Sequence, residues 1–573
     1  MKNVKEEKNI LTLSIESVNS YGCGVAHAPD GRVMFVSGAV GGDVVEAQVI
    51  KAAKTYSVCR LVSLVSPSPD RETVPFCSAP NACGGCTYRH IKYECELETK
   101  RLTVLDAMRR ASLQGITVAP VLSTGAERGG YRNKVIYPVV STKAGMRFGY
   151  FAQGSHKVIP HDSCSLSHPD FDAIASRVVR LMDEHGISAY DEETGRGLLR
   201  HIYMRRGINA DGKGEILLCL VINGRSLPHG KEIAETLVSE FSSIVGVLLN
   251  VNEEKTNAVL GKRFITLLGR DYIFDTLLKK SFRIHPAAFW QVNREGAELL
   301  YSTAYALGLS EGCDTLIDLY CGIGSIGLCA AEKAGRLFGI EIVPEAVDCA
   351  KENAELNGVK NAEFLCADAS DSERYIAEIL NRYPDATVIV DPPRKGCGEK
   401  LMRFLADMNV KKVLYISCNP YSLATDMKVL TDEGYAASEV VPVDMFPRTS
   451  HVETVVCLSR QTDVHKMKLN PEPFEKIKGG QKTIELRLYD EKRQKIKSGD
   501  SIVFTNVCSG EKLRATVKNL HCFESFEELY RSLPLLKCGY TPEDIDGASP
   551  SDMGQYYSLE EQKKYGVVGI ELC

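Results

Sequence analysis

The alternation of apolar and polar positions divides the 573-residue chain into four regions. Residues 9–65 alternate over short runs separated by turn signals, which predicts several short strands and a small closed barrel. Strand patterns return from Tyr131 to about residue 270. From about residue 282, apolar strands alternate with helical patterns, which indicates βαβ units and a parallel sheet. The tail, residues 466–573, predicts a separate α+β unit.

We therefore predict a multidomain protein with a β-barrel, a central α+β domain, an α/β Rossmann-like domain and a second, C-terminal β-barrel. Their predicted bounds are 1–66, 67–270, 271–460 and 466–573. Residues 93–113 predict a helix, which we expect to pack on the Rossmann-like domain. Its apolar residues at near-helical spacing are Leu97, Leu102, Leu105 and Met108.

Composition and charge narrow the class of protein. Hydrophobic residues make up 44% of the chain and charged residues 25%, which excludes a wholly disordered, collagen-like or coiled-coil chain. The longest apolar run, Ile216–Ile222, is far shorter than the ~20 residues that span a bilayer. The net charge of −5 excludes a uniformly basic nucleic-acid coat. Twenty cysteines without a secretory signal predict the reduced thiols of a cytoplasmic protein, with a monomer favoured.

A glycine loop indicates a nucleotide-type cofactor. The segment DLYCGIGSIG follows an apolar strand, and Gly322, Gly324 and Gly327 fit the pattern G-x-G-x-x-G. Glu341 ends the next strand nineteen residues after Gly322. That spacing is close to the ~20 residues expected for a carboxylate that binds a ribose hydroxyl. NAD sites and S-adenosylmethionine sites share this pattern, and a tight βα turn without a ligand is a further alternative.

Three polar residues at predicted strand ends form a candidate catalytic set. Asp391, in VIVDPPRKG, ends a buried strand and opens a turn that two prolines stiffen. Cys418, in LYISCNP, follows the next strand and stands in a turn, where a nucleophile is accessible. Glu453 precedes an apolar strand. Taken singly, these residues also fit a strand-ending turn, a buried structural cysteine and a solvated glutamate.

Methylation at C5 of a pyrimidine needs such a set. A thiolate adds at C6, C5 then attacks an electrophilic methyl group, and a base removes the C5 proton so that the thiol can leave. A further group must hold the amide edge of the ring. The motifs quoted above, with HVET at 451–454, resemble the RNA uracil-5-methyltransferase family over roughly residues 8–460.

The resemblance implies a role for each matching residue. Cys418 would be the nucleophile, Glu453 the base and S-adenosyl-L-methionine the methyl donor. HPAAFWQVN, residues 285–293, resembles the family segment that places Gln291 against the cofactor, while Trp290 and Ser325 stand where the family varies. Asp368 is the position expected to hold the adenine. The complete expected set that binds the cofactor or the target uracil is Gln291, Tyr320, Gly322, Gly324, Ser325, Glu341, Asp368 and Asp391.

A separate cluster of cysteines predicts a metal site. Cys77, Cys83 and Cys86 form C-x5-C-x2-C, Cys164 is the candidate fourth ligand, and Cys95 is a rival inside the predicted helix. Four thiolates bind Zn²⁺ or an iron–sulfur cluster. Three clustered cysteines with a distant fourth favour a [4Fe-4S] cluster over zinc, and the rRNA branch of the family carries one.

The terminal regions suggest the RNA partner. The N-terminal barrel resembles the TRAM domain, an OB-like RNA-binding barrel, and its pairing with an iron–sulfur site is similar to 23S rRNA uracil-5-methyltransferases. The tRNA branch typically lacks both, yet a tRNA uridine methyltransferase stays an alternative. A redox-responsive RNA-binding protein is another. A radical methylthiotransferase would need a C-x3-C-x2-C motif that the sequence lacks.

The tail resembles the ASCH domain, a PUA-like barrel linked with RNA. Residues 466–500 hold ten Lys and Arg against six Asp and Glu, a modest basic excess. Lys482, Thr483 and Glu485 match positions that act in ASCH amidohydrolases of acetylated cytidine. The preferred interpretation is a charged barrel face that serves as an extra RNA clamp.

Overall fold

The computed structural model describes residues 10–74, 77–79, 82–125, 129–256, 258–369, 372–461 and 463–573. The chain forms two compact units, Met1–Ser459 and Arg460–Cys573. The first three predicted domains therefore lie within one compact unit. Across the described ranges, no helix combines the length and the apolar character that crossing a bilayer requires.

The first unit begins with a six-stranded sheet in the order β1-β5-β6-β4-β3-β2. Its two terminal strands are separated by only two residues and form the halves of one bent strand, so the sheet curls on itself as a barrel. Small and branched side chains alternate into its core. The strands are β1 (Ile10–Ser14), β2 (Ser17–Val18), β3 (Cys23–His27), β4 (Val33–Ser37), β5 (Val44–Ala52) and β6 (Tyr56–Ser66).

A mixed seven-stranded sheet follows, in the order β13-β12-β11-β10-β7-β8-β9. Strand β11 is apolar from Ile216 to Ile222 because alternate residues enter two cores. Leu218 and Leu220 face helices α2 and α3, whereas Leu217 and Cys219 face the next region. The elements are α1 (Tyr93–Arg110), β7 (Lys134–Thr142), β8 (Gly145–Phe151), β9 (Val158–Pro160), α2 (Pro169–Glu184), β10 (Leu199–Ile208), β11 (Gly214–Ile222), α3 (Gly230–Glu240), β12 (Ile244–Val251) and β13 (Arg263–Gly269).

Helix α1 packs on the region that follows residue 271, through a face that includes Met108 but not Leu102. Its buried residues include Glu96, Lys100, Val104 and Ala107. The predicted apolar stripe is wrong at Leu102, which is 51% exposed. The leucine spacing misled because the facing segment is polar: Lys100 Nζ lies 2.7 Å from Asp444 Oδ1. The helix also ends at Arg110 rather than at residue 113.

The Rossmann-like region contains a doubly wound sheet in the order β18-β17-β16-β19-β20-β23-β21, with β22 paired to β23. Strands β16 to β20 run parallel, and β23 is antiparallel to β20. The chain order reverses beside β16, where open α/β sheets bind ligands. The elements are β14 (Ile273–Leu277), β15 (Lys280–Ile284), α4 (Arg294–Gly308), β16 (Cys313–Leu319), α5 (Ser325–Ala330), β17 (Ala334–Glu341), α6 (Pro344–Leu356), β18 (Ala362–Cys366), α7 (Glu373–Arg382), β19 (Thr387–Val390), α8 (Glu399–Asp407), β20 (Lys412–Ser417), α9 (Pro420–Asp432), β21 (Tyr435–Ala437), β22 (Val441–Val443) and β23 (Glu453–Arg460).

The second unit has its own five-stranded sheet, in the order β24-β26-β27-β28-β25. The long strand β27 pairs first with β26 and, from Val517 onward, with β28, so the sheet bends around a separate apolar core. The elements are β24 (Val464–Leu469), α10 (Pro471–Lys478), β25 (Ile484–Leu488), β26 (Ser501–Asn506), β27 (Lys512–Phe523), α11 (Phe526–Ser532), α12 (Leu559–Tyr565) and β28 (Val567–Leu572).

Candidate active site

The carboxyl edge of the doubly wound sheet gathers the predicted site residues. Each lies at or just after the end of a parallel strand: Tyr320 after β16, Glu341 at the end of β17, Asp368 after β18, Asp391 after β19 and Cys418 after β20. Because neighbouring parallel strands end at the same edge, residues distant in sequence line one crevice.

Glu453 reaches the same edge from the opposite chain direction. It opens β23, which pairs antiparallel with β20 and sets Thr454 opposite Ser417. The next position of that register sets Glu453 opposite Cys418. The pairing of these two strands therefore joins the candidate nucleophile to the candidate base.

The glycine loop holds a left-handed backbone that favours glycine. Gly322 and Gly324 have φ of 55° and 83°, and Tyr320 adopts a φ of 67° despite its side chain. The Gly322 N–H donates to Glu341 Oε2 at 3.0 Å. That bond leaves the carboxylate further capacity to accept hydrogen bonds. The turn and the carboxylate are thus fixed together, as a ribose-binding site requires.

Gln291 is brought to this crevice by a residue that the sequence analysis missed. The Tyr301 hydroxyl lies 3.2 Å from Ser325 Oγ and also hydrogen-bonds the Gln291 side chain. Burial, and then the nearby Asp391 carboxylate, raise the pKa of Tyr301. Helix α4 carries Tyr301, and no motif in the sequence marked it. This tyrosine joins Gln291 to the start of helix α5.

The catalytic set lies in a buried, acidic environment. Burial raises the pKa of Asp391 to about 7. Burial, and then Asp391, raise the pKa of Glu453 to about 8. The pKa of the Cys418 thiol is raised to about 11 by burial, followed by Glu453 and Asp391. A carboxylate whose pKa lies near neutrality is suited to take up a proton at physiological pH.

Arg394 is the cation of this environment, a role that its place in the motif VIVDPPRKG did not predict. Its positive charge acts to lower the pKa of both Cys418 and Glu453, against the effect of burial. The Asn419 side chain donates to the Arg394 carbonyl at 2.8 Å, which ties the loop after β19 to the loop after β20. Arg394 therefore offsets part of the effect of burial on both groups, whose pKa values stay raised overall.

Asp318, the first residue of DLYCGIGSIG, is a third residue whose role the sequence pattern did not predict. Its Oδ2 accepts the Gly327 N–H at 2.8 Å, whereas its buried Oδ1 has no hydrogen-bond partner among the described residues. Burial raises the pKa of Asp318 to about 8. A buried acceptor left open beside a glycine loop fits a ligand that brings its own donor.

The four predicted metal-binding cysteines line one cavity. Cys77, Cys83, Cys86 and Cys164 border a volume of ≈ 190 Å³. Within the described ranges, no three of their sulfur atoms lie within 4.8 Å of one another. The rival Cys95 packs elsewhere, against Val40, Tyr88 and Ile91. The sequence spacing therefore identified a real cluster of thiols.

The cysteine loop is built by a close backbone approach. Gly84 donates its N–H to the Phe151 carbonyl at 3.1 Å. A Cβ at Gly84 would lie only 2.7 Å from that oxygen, which explains the glycine. Burial, and then the other three cysteines, raise the pKa of Cys86 to about 12. A metal binds the thiolate form, so its binding would release the Cys86 proton.

The tail residues that the sequence singled out, Lys482, Thr483 and Glu485, do not lie on a solvated face. This differs from the charged barrel face that we preferred as the interpretation of the sequence. Lys482 Nζ lies 2.9 Å from Glu485 Oε2, and both side chains are largely buried. Arg487 Nε lies 2.9 Å from Glu485 Oε1. These three residues line a cavity of ≈ 430 Å³ with several tyrosines. Thr483 lies next to them and forms backbone hydrogen bonds with Lys537 and Leu572.

Comparison with known proteins agrees with this geometry. The tRNA (Uracil-5-)-methyltransferase family model matches residues 220–461, and the ASCH domain model matches residues 467–572. An uncharacterized RNA methyltransferase of Halalkalibacterium halodurans is 38% identical over 454 residues, which cover 79% of this chain and 97% of that protein. A Bacillus cereus protein of the same description is 39% identical over 460 residues, with the same shares covered.

A solved structure supports the fold beyond the catalytic region. The Pyrococcus abyssi tRNA (uracil-54, C5)-methyltransferase, in complex with S-adenosyl-L-homocysteine, matches with a TM-score of 0.62 and 26% identity. The match covers 78% of this chain and 100% of that one. The predicted multidomain chain with mixed sheets and a methyltransferase fold is confirmed. On these similarities, the chain belongs to the S-adenosylmethionine-dependent RNA uracil-5-methyltransferase family and carries an ASCH domain at its C-terminal side.

Proposed function

We propose that this protein methylates C5 of a uridine in 23S rRNA through a covalent bond between Cys418 and C6 of the base. The observation that carries the chemistry is the antiparallel pairing of β20 and β23 up to Ser417 and Thr454. Cys418 and Glu453 are the next two residues of that register, and Asp391 acts on both of them electrostatically. A stacked or paired uridine cannot reach these groups, so the base must leave the stack and enter the crevice.

The residues divide the reaction between them. The Cys418 thiolate forms a bond to C6, and the electron pair of the C5–C6 double bond becomes available at C5. C5 takes the methyl group as the S–CH3 bond of S-adenosylmethionine breaks, and its electron pair stays on the sulfur of the departing S-adenosylhomocysteine. Glu453 then removes the C5 proton. The electrons of that C–H bond restore the double bond while the C6–S bond breaks and returns the thiolate. The positive charge of Arg394 favours the two anions that these reaction steps need, the Cys418 thiolate and the Glu453 carboxylate.

The crevice also fits the methyl donor. S-adenosylmethionine supplies an electrophilic methyl group, and this chain offers acidic acceptors for its other parts. Glu341 has acceptor capacity for ribose hydroxyls, and the open Oδ1 of Asp318 fits an ammonium group. Asp368 follows β18 and acts on Tyr320 electrostatically, which is consistent with a role beside the adenine.

We propose rRNA as the substrate on the resemblance of the barrel and cysteine site to the rRNA branch. A specific observation favours tRNA instead: the Pyrococcus tRNA enzyme matches 78% of this chain, far more than the methyltransferase region. The test is a strain that lacks this protein. Loss of 5-methyluridine from 23S rRNA, restored by the wild-type chain but not by Cys418→Ala, is expected. Loss from tRNA alone would establish the second substrate.

We also propose that the four cysteines hold a [4Fe-4S] cluster. A zinc ion with Zn–S bonds of about 2.3 Å would hold its sulfurs about 3.8 Å apart, which is closer than a cube of four irons requires. That no three of the four sulfurs lie within 4.8 Å of one another, among the described residues, is in keeping with the larger group. Bound there, the cluster would join the loop of residues 77–86 to Cys164.

Metal analysis tests the cluster. Anaerobically purified protein is expected to be brown, with about four irons per chain. Cys86→Ser and Cys164→Ser should each lose the colour and the iron, whereas Cys95→Ser, the matched control, should keep both. A colourless protein with stoichiometric zinc would contradict the proposal.

A further inference from the structure

Arg448 connects the cysteine loop to the segment that carries Glu453. Its carbonyl accepts two backbone N–H groups, from Thr87 at 2.9 Å and Tyr88 at 3.1 Å. These two residues directly follow Cys86 in the chain. The Arg448 N–H donates to Glu96 Oε1 at 2.7 Å. The backbone of one residue therefore joins helix α1 and the cysteine loop to the catalytic segment.

The conformation of Arg448 is held by its surroundings. Its φ is 68°, in the left-handed region that a residue with a side chain rarely adopts, and only 5% of the residue is exposed. Such a backbone persists where neighbouring contacts over-determine it, and those places are often functional. The guanidinium supplies such contacts: it donates to the Ile91 carbonyl at 3.0 Å and lies 5.7 Å from the centre of the Tyr93 ring.

Buried ion pairs hold the same segment from its other end. Lys100 Nζ lies 2.7 Å from both Glu96 Oε1 and Asp444 Oδ1, and it donates to the Phe446 carbonyl at 3.2 Å. The Tyr93 hydroxyl donates to Asp444 Oδ2 at 2.6 Å. Helix α1 thus fixes the chain at Asp444 and Phe446, before Arg448, and at Arg448 itself. A buried network of charges paired in this way favours one defined arrangement of the chain, although Glu96 Oε2 has no hydrogen-bond partner among the described residues.

Only a short stretch separates this anchor from the base. Thr449 Oγ1 donates to the Phe446 carbonyl at 2.7 Å and accepts the His451 N–H at 3.3 Å, so the intervening turn is itself fixed. Val452 is buried. A shift at Arg448 therefore has few bonds over which to relax before it reaches Glu453.

We propose that Arg448 is a positioning residue for Glu453, and that through it the cysteine loop sets the place of the base. The inference rests on the proposed function of Glu453 and adds a second element to it. A general base must lie within hydrogen-bond reach of the proton that it removes. Arg448 fixes that position without touching the uracil.

The test measures the base-dependent step separately from overall stability. Arg448→Ala should slow turnover and accumulate a protein–RNA adduct that survives denaturing gels. The reason is that a misplaced Glu453 removes the C5 proton of the methylated adduct slowly. A positioned base contributes about 10²–10⁴-fold, so a fall of at least about tenfold is expected. Arg448→Lys keeps the charge and should restore part of the rate. Faster amide hydrogen exchange over residues 449–453 should accompany the defect.

Arg200→Ala is the matched control. Arg200 is a buried arginine of the same unit whose guanidinium donates to two carbonyls, of Asn252 and Glu254, away from the catalytic segment. Its loss should leave the ratio of adduct to product unchanged, and exchange over 449–453 normal.

Glu453→Gln separates this inference from the proposed function. Suppose that Glu453→Gln accumulates the adduct, whereas Arg448→Ala shows a normal ratio of adduct to product and normal amide exchange. That result would overturn the role of Arg448 alone. If Glu453→Gln shows neither an adduct nor a turnover defect, Glu453 is not the base, and the proposed function of that residue is overturned instead. If Arg448→Ala does not fold, the same comparison is made with Arg448→Lys, for which an unchanged adduct ratio overturns the proposal.

Discussion

Two buried glutamates, one in each unit, differ in their partners. Glu453 is 4% exposed and Glu485 is 3% exposed, and each belongs to a strand. Glu485 lies between two cations, Lys482 and Arg487, at 2.9 Å from each. Glu453 instead faces the Asp391 carboxylate, and burial and that charge raise its pKa to about 8, with Arg394 opposing.

The difference teaches that burial alone does not decide what a carboxylate does. A buried acid beside a like charge binds a proton readily, so it can exchange one during a reaction. A buried acid whose two oxygens each lie beside a cation is fixed in place by those contacts, which suits an anchor or a contact for a polar ligand. The first arrangement supports proton transfer at the methyltransferase site, and the second supports a static role in the tail cavity.

The largest expected effect is the loss of the nucleophile. Cys418→Ala should abolish methylation while S-adenosylmethionine still binds, because the thiol acts only when it adds to the ring. Methyl transfer to RNA and calorimetric binding of the cofactor measure the two properties. Cys508→Ala, which removes an exposed cysteine of the second unit, is the control and should retain full activity. Normal turnover in Cys418→Ala would assign the nucleophile elsewhere.

The next effect tests the two glutamates against each other. Glu453→Gln should lower turnover by about 10²–10⁴-fold, the usual contribution of a general base, and leave the protein bound to RNA. Glu485→Gln is the matched change in the tail and should leave methylation within about twofold of wild type, since its unit supplies no group to the reaction. Equal defects in the two variants would refute the distinction drawn between them.

A smaller effect concerns pH. The base must be ionised, and burial followed by Asp391 raises the pKa of Glu453 to about 8, so the rate should increase as pH rises through about 8. Arg394→Gln removes the charge that lowers this pKa, and the profile should move to higher pH. Single-turnover rates from about pH 6.5 to 9.5 measure the shift. Arg403→Gln, at an exposed arginine paired with Glu399 and Glu433, should leave the profile in place.

The residues at the carboxyl edge of the sheet could be predicted from the sequence because the pattern that marks each of them is local in the chain. Each of Asp391, Cys418 and Glu341 stands directly after or at the end of an apolar run, and parallel strands bring such ends together. The cysteine cluster was predicted for a similar reason, since three of its members are close in the chain. Glu453 could be predicted only from what the methylation reaction requires, because its strand runs antiparallel to its partner and the residue stands at the start of the strand rather than after its end.

The contacts between distant segments could not be predicted. Tyr301 reaches Gln291 and Ser325 only because helix α4 packs beside the glycine loop. Lys100 is fully buried because Asp444, far along the chain, compensates its charge, and no helical periodicity reveals that partner. The ion pair of Lys482 and Glu485 likewise turned an expected surface into the lining of a cavity.

The smallest expected effect is the removal of the tail. Every group that the reaction needs lies between Gln291 and Glu453, and strand β23 ends at Arg460. The second unit packs around apolar clusters of its own, so deleting residues 466–573 should not open the core of the first. RNA affinity should fall mainly at higher salt if the lysine-rich segment contacts phosphates. Single-turnover methylation of an rRNA fragment at saturating enzyme isolates the chemical step, which should stay within about tenfold, or ~1.4 kcal/mol, of the full chain. A greater loss in that step would show that the tail helps to build the methyltransferase site. Glu485 and Glu453 would then belong to one functional site, and the comparison between them would no longer be one between two independent units.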